Sequence, residues 1–497
     1  MSSIKKFAGQ TAIYGVSTVI SRVLNFILTP LFVRVYPPKI YSIFTYMYSW
    51  ASLLNAVLAF GMETTFFRYL NKPGNNKAKV YGNTFIIIAV IAFTFLLATY
   101  FFAPNIASWL QKGEVQPDHV LYVKYFIWIL VVDALAVIPF AKVRADGRPL
   151  RFGMIKLINI FTFVGGNLFF LFVIPYIIKH HLIGADSLAS WYKPVWVGYV
   201  FISNLIASVI TLLMLLPELL QLKFDFSSAL VVDMLSYSFP VLVANISFII
   251  NENIDKMMMP KLLPLSQQQD VGIYGACCKI AVFLSIFVQA FRLGAEPFFF
   301  SHAKNKNAGE TYARIMNYFI IMICIIFLGL VANIEILKYF IKGKNATDQL
   351  LYWSGIPVVP ILLFGYVCLG IYMNLSIWYK LSDQTRYGLY ISGVGAVLTI
   401  VLNMMLIPKY SYMAAAWVSL AAYAVMMILS YILGQKKYPI PYRLKKNLAY
   451  IISAIVLVFL SFQVFGRNLV IGNILLMIYI IGTLYAERKE LTALLKK

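Results

Sequence analysis

Long apolar stretches separated by short polar connections recur from one end of this chain to the other. About fourteen are long enough to cross a hydrocarbon layer as a helix, which takes about 20 residues. Their approximate limits are 8–32, 41–66, 80–103, 120–141, 152–176, 195–216, 230–253, 271–295, 314–338, 352–378, 387–407, 412–434, 447–464 and 469–486. Lipid offers no hydrogen-bond partner to a peptide group, so only helices and closed barrels span it. Stretches this long and continuously apolar read as membrane-spanning helices. The expected fold class is therefore all-α integral membrane. Composition agrees: 61% of the 497 residues are hydrophobic and 12% charged, a balance foreign to soluble domains.

The net charge is +23, from 42 Lys and Arg against 19 Asp and Glu. With the N-terminus placed in the cytoplasm, the inner side receives roughly twice as many basic residues as the outer. Lys142, Arg144, Arg148 and Arg151 share one inner loop, and Lys436, Lys437, Arg443, Lys445 and Lys446 form a second inner cluster. The positive-inside bias places both termini in the cytoplasm and accounts for the charge without nucleic acid. The four cysteines lie within apolar spans without metal-ligand spacing, so no metal site is expected. The first stretch is too long and too polar for a cleaved signal, and is expected to be a retained helix. Short loops and the absence of a phosphate-binding motif argue against an ATP-driven pump and against an extramembrane catalytic domain. The chain is not expected to be an enzyme or to hold a cofactor.

An internal repeat organises the spans. A shift of 233 residues lays 40–67 on 273–300 without a gap. Ile40-Tyr41 then meets Ile273-Tyr274, Ser52 meets Ser285, Gly61 meets Gly294, Glu63 meets Glu296, and Phe66-Phe67 meets Phe299-Phe300. The matched helices are an even number of spans apart, so both copies enter the membrane in the same direction. The expected architecture is two parallel six-helix lobes, over 1–225 and 226–436, with two further helices and a tail over 437–497. Parallel repeats of this kind enclose a central site in secondary transporters.

Charges inside the spans mark that site. Arg22, Lys279 and Arg292 each lie in an apolar stretch, where a cation costs about 2.5–3.5 kcal/mol on insertion scales unless it faces water or a partner. Thr11, Tyr14, Thr18, Arg22, Asn25 and Thr29 share one helical face, which must point into the bundle. Ser238, Asn245, Glu252 and Asp255 form a second stripe, and Ser285, Gln289, Arg292 and Glu296 a third. Buried cations suit an anionic cargo, and a guanidinium offers a phosphate two parallel hydrogen bonds. Arg22, Arg292, Lys279, Asn25, Tyr14, Asn245 and Gln289 are the expected substrate contacts. Asp133, Glu252, Asp255, Glu63 and Glu296 are candidates for gating or ion coupling, with structural ion pairs as the competing role. Arg22 with Asp133 and Arg292 with Glu296 are two such pairs. The repeated acid, Glu63 and Glu296, is expected to be structural or gating.

These residues bring a resemblance. Ile20-Ser21-Arg22-Val23-Leu24-Asn25-Phe26 and Gly61-Met62-Glu63-Thr64-Thr65-Phe66-Phe67-Arg68 resemble landmarks of the bacterial polysaccharide (O-antigen and capsule) flippase family. Ile254-Asp255-Lys256, Gly272-Ile273-Tyr274, and Phe291-Arg292 leading to Pro297-Phe298-Phe299 are similar to the same family's second half. That family belongs to the superfamily holding multidrug extruders and the lipid II flippase. The resemblance implies two lobes in a V around a cationic cavity. It implies an undecaprenyl-pyrophosphate-linked oligosaccharide as substrate, moved from the inner to the outer leaflet of the bacterial inner membrane. Arg22 matches the first-helix Arg implicated in headgroup binding in the lipid II relative, but Val23 stands where that relative has an acid. The last two helices are implied to line a lipid-tail groove. Proton, sodium and membrane potential stay open as drives. Membrane lipids, a polysaccharide polymerase and a chain-length regulator are the expected partners, and no nucleic acid. The rivals are a multidrug or cation antiporter of the same architecture and a membrane-embedded polysaccharide polymerase or ligase.

Overall fold

The computed structural model describes residues 26–495 apart from 73, 75, 111–116, 303–306 and 383. Every regular element among them is helical. The chain divides into two compact units, Met1–Gly272 and Ile273–Lys497. The helices of the first are α1 (Phe26–Val35), α2 (Pro38–Ala59), α3 (Met62–Leu70), α4 (Lys77–Tyr100), α5 (Ala103–Leu110), α6 (Pro117–Ala145), α7 (Pro149–Leu168), α8 (Ile174–Lys179), α9 (Ala185–Ala189), α10 (Gly198–Met214), α11 (Leu216–Leu219) and α12 (Ser228–Leu262). Helix α13 (Gln269–His302) leads into the second unit, followed by α14 (Ala308–Ala332), α15 (Ile334–Leu337), α16 (Ala346–Ser354), α17 (Val359–Leu375), α18 (Ile377–Leu381), α19 (Arg386–Lys437), α20 (Leu444–Phe459) and α21 (Leu469–Leu495).

Eleven of the described helical segments are long and apolar enough to cross a membrane. The chain is a multi-pass membrane protein. Three features separate this number from the expected fourteen. The span 8–32 lies mostly outside the described residues. The span 195–216 becomes α10, a shorter apolar helix. The spans 387–407 and 412–434 run together in α19, whose 52 residues would measure about 78 Å as one rod, far more than a bilayer needs. That helix breaks at Ser411 (φ 49°, ψ −135°), three residues after Pro408. The break falls between the two spans read from the sequence.

In the first unit α12 lies along α2, α7 packs on α10, and α6 is held between α4 and α10. This unit therefore takes in Ser228–Leu262, the helix that the repeat assigns to the second lobe. The span expected over 41–66 is bent. Phe60 (φ 48°) and Gly61 (φ 67°) both adopt the left-handed conformation, end α2 and start α3. Glycine suits that backbone and also the fit, because a Cβ on Gly61 would stand 3.1 Å from Val241 and from the Ser238 carbonyl oxygen. Its repeat partner Gly294 lies inside the continuous helix α13. Identical residues thus serve different backbones in the two copies. Between α7 and α8 the backbone opens into a π turn over Phe169–Val173. Pro175 follows, and the wider turn accommodates a ring that cannot donate to the ladder and would otherwise press on the preceding turn.

The loop after α11 is clamped to the start of α4. Asn83 donates to the Asp225 carbonyl oxygen (2.7 Å) and accepts from the Ser227 amide (2.9 Å). In the second unit α17 packs on α19, and α14 carries α20 and α21. Glu487 of α21, nearly fully buried, accepts hydrogen bonds from Asn317 of α14 (2.9 Å) and from Lys446 (2.8 Å) and Tyr450 (2.7 Å) of α20. One carboxylate thereby binds the last two helices to α14 and satisfies three polar groups that lipid could not.

Candidate functional site

Polar side chains of the first unit converge on a cavity of about 450 Å³ walled by α6, α7 and α10. Asp133, Phe140 and Arg144 come from α6, Phe152, Lys156 and Asn159 from α7, and Asn204, Ser208 and Thr211 from α10. Their intervals of three, four and seven place each set on one helical face. Ser208 hydrogen-bonds the Asp133 carboxylate, and Lys156 is the cation acting on it. Asn159 donates to the Ala207 carbonyl oxygen (3.1 Å) and to Thr211 (2.9 Å), and Asn204 donates to the Tyr48 hydroxyl (3.1 Å). The Lys156 ammonium lies 5.1 Å from the Phe140 ring centre and 5.9 Å from that of Phe152. Glu63, in the first turn of α3, pairs with Arg144 at the cavity wall.

In the same unit Glu218 of α11 is fully buried. Arg151 donates to its carboxylate at 2.9 Å and Arg148 stands 3.7 Å away. Tyr81 donates to the Glu218 carbonyl oxygen at 2.8 Å. Two of the four basic residues between 142 and 151 thus face α11 through this carboxylate.

In the second unit a narrow cleft of about 20 Å³, room for about one water, is lined by Arg292, Phe291 and Ala295 of α13 and by Asn374, Ser376 and Lys380 of the chain from α17 into α18. The described lining holds two cations and no carboxylate. The Nδ2 of Asn374, itself buried, has no hydrogen-bond partner among the described residues. Gly370 lets α17 approach, since a Cβ there would meet Ile323, Val288 and Phe319 at 2.9–3.0 Å.

The remaining expected residues are placed as follows. Tyr14, Arg22 and Asn25 lie outside the described residues, as does the side chain of Glu296. Lys279 and Gln289 lie on α13 outside the lining of the Arg292 cleft, both half-buried. Asn245 is exposed on α12. On the same helix Asp255 is buried and paired with Lys256 at 3.0 Å, whose ammonium also donates to the Glu252 carbonyl oxygen at 2.9 Å. Asp133 alone of the expected acids opens into the larger cavity from the middle of a membrane-length helix.

Sequence reasoning passed over Lys156, Asn159, Asn204, Ser208 and Thr211, and also Asn374 and Lys380. Lys156 lies one turn inside its span, close enough to the end to read as a loop charge, yet its three-residue spacing from Asn159 was a legible stripe. Asn204, Ser208 and Thr211 were a second.

The fold is similar to that of solved lipid II flippase and MATE family structures. Residues 240–405 match the family model described as MatE. The structure is similar to the lipid II flippase MurJ in an inward closed conformation, with a TM-score of 0.73 at 14% identity over 97% of this chain and 100% of that one. It is also similar to an inward-facing multidrug resistance MATE family transporter, with a TM-score of 0.67 at 12% identity over 84% and 94% of the two chains. An outward-facing transporter of that family gives a TM-score of 0.59 at 12% identity over 87% and 95%. Comparison with curated proteins gives no match.

Proposed function

We propose that this protein is a flippase for an undecaprenyl-pyrophosphate-linked oligosaccharide. It moves that lipid from the inner to the outer leaflet of a bacterial inner membrane by alternating access, in polysaccharide assembly. Both termini face the cytoplasm, and the product passes to a polysaccharide polymerase and its chain-length regulator. The observation that carries this reading is the presence of two cations, Arg292 and Lys380, in the lining of the second-unit cleft. Cations held in a membrane bundle favour an anionic cargo, and a pyrophosphate cannot cross hydrocarbon without such partners. Arg22, Arg292 and Lys279 are assigned to the pyrophosphate, with Tyr14, Asn25, Asn245 and Gln289 as further contacts. Asp133 and Glu252 are the candidates for coupling to a proton or sodium ion.

The multidrug or cation antiporter is the second reading. The fold comparisons favour it as much as the first. Cleft charge separates the two. The test is the leaflet distribution of lipid-linked oligosaccharide in cells lacking the gene, read with an impermeant sugar-oxidising label. Inner-leaflet accumulation relieved by the wild type but not by Arg22→Ala or Arg292→Ala supports the flippase. A normal distribution without the gene, together with cation accumulation, supports the antiporter.

A further inference from the structure

The larger cavity has the chemistry of a sugar site, and we infer that it is a glycan subsite taking uncharged, hydroxyl- and acetamido-bearing sugar units of the cargo. This inference rests on the flippase reading and deepens it.

Charge decides the ligand class first. Glu63 and Asp133 stand against Arg144 and Lys156, so the cavity wall is balanced. A lone drug cation meets two cations there, and a phosphate meets two carboxylates. A neutral polar group meets neither cost. Its size, about 450 Å³, lies in the range of roughly 300–1,000 Å³ that encloses small ligands.

Hydrogen bonding narrows the class further. Asn159 and Asn204 spend their amide N–H groups on the protein, which fixes both side chains. Their carbonyl oxygens accept no hydrogen bond from a described side chain or backbone group and are left to receive ligand hydroxyls or an acetamido N–H. Asp133 adds a further acceptor and Lys156 a donor. Phe140 and Phe152 supply the apolar surface that packs on the C–H faces of a pyranose ring. Fixed acceptors, one donor and two aromatic rings in a charge-balanced pocket are what a sugar unit presents in mirror form.

The experiment uses the full chain in liposomes loaded with undecaprenyl pyrophosphate carrying either one sugar or a longer neutral oligosaccharide. Transfer is read by the impermeant sugar label. Asn159→Ala and Asn204→Ala are expected to slow transfer of the long-glycan lipid about tenfold each, the worth of one well-made hydrogen bond, with little change for the one-sugar lipid. Where Asn204→Ala does not accumulate, Asn204→Leu, which fills the position without an acceptor, is expected to give the same selective loss. Equal losses on both lipids, or none on either, would overturn the subsite while leaving the flippase reading intact. A wild-type protein that moves neither lipid would overturn both.

Discussion

A charge buried at a membrane surface or within it must be matched, and single residues here show how. Glu218 has no exposed surface, and Arg151 and Arg148 face its carboxylate. Replacing Glu218 leaves both guanidiniums, each partly exposed, without the buried carboxylate they share. Glu218→Ala is therefore expected to lower thermal stability in detergent strongly, and Glu218→Gln less, because the amide oxygen still accepts from Arg151. Equal stability of Glu218→Ala and wild type would show that the arginines carry no structural load. Arg22 is argued differently, from its stripe and its resemblance alone. Arg22→Ala is expected to abolish oligosaccharide export at unchanged abundance, and Arg22→Lys to be partly active, since it keeps the charge and loses the two-pronged donor. Normal export by Arg22→Ala would remove Arg22 from the site. At this scale the sequence was a partial guide. It singled out Asp133 and Arg292, which line the two cavities, because a charge in an apolar run is conspicuous. It missed Asn204 and Thr211, because uncharged polar residues are common in membrane helices and only packing shows which of them converge.

At the scale of the element, close approach and capping decide which helices hold together. A Cβ on Gly82 would stand 2.2 Å from the Lys223 carbonyl oxygen, in the loop that Asn83 clamps. Gly82→Ala must push that loop away from α4, at about 1–3 kcal/mol. Gly165, where an added Cβ would meet nothing within 4 Å, is the control: Gly165→Ala is expected to leave stability unchanged or slightly raised, since alanine is the better helix former. Comparing the two melting temperatures checks both. Glu487 is the second element-scale prediction. Glu487→Ala removes the acceptor shared by Asn317, Lys446 and Tyr450. It is expected to loosen α20 and α21 from α14, read as faster proteolysis of the C-terminal segment. Unchanged proteolysis would mean that apolar packing alone holds those helices.

At the scale of the whole molecule, the excess of basic residues on one side is the ground for proposing that both termini are cytoplasmic. With both termini cytoplasmic, cysteines introduced by Ser2→Cys and Lys497→Cys are expected to react with an impermeant maleimide only after the membrane is opened. The four native cysteines are buried and give little background. Labelling of either terminus in intact cells would invert the assignment of every loop. The repeat shows what a sequence match carries at this scale. Gly61 and Gly294 align, yet one starts a new helix and the other lies within a continuous helix. The same residue in two aligned positions thus does not fix the same local backbone.

The sequence by itself determined that this protein is a helical, multi-pass membrane protein. Hydrocarbon leaves a peptide group no other way to be satisfied, and an apolar run of the right length records that rule directly. It also determined where α19 breaks, because Pro408 and the polar residues around it interrupt the run. Only the tertiary structure decided which polar side chains share a cavity. Asp133, Lys156, Asn159 and Ser208 come from three helices, and their convergence depends on how α6, α7 and α10 rotate against one another. That rotation is set by packing across the bundle, a sum of many weak contacts that no single stretch of sequence carries.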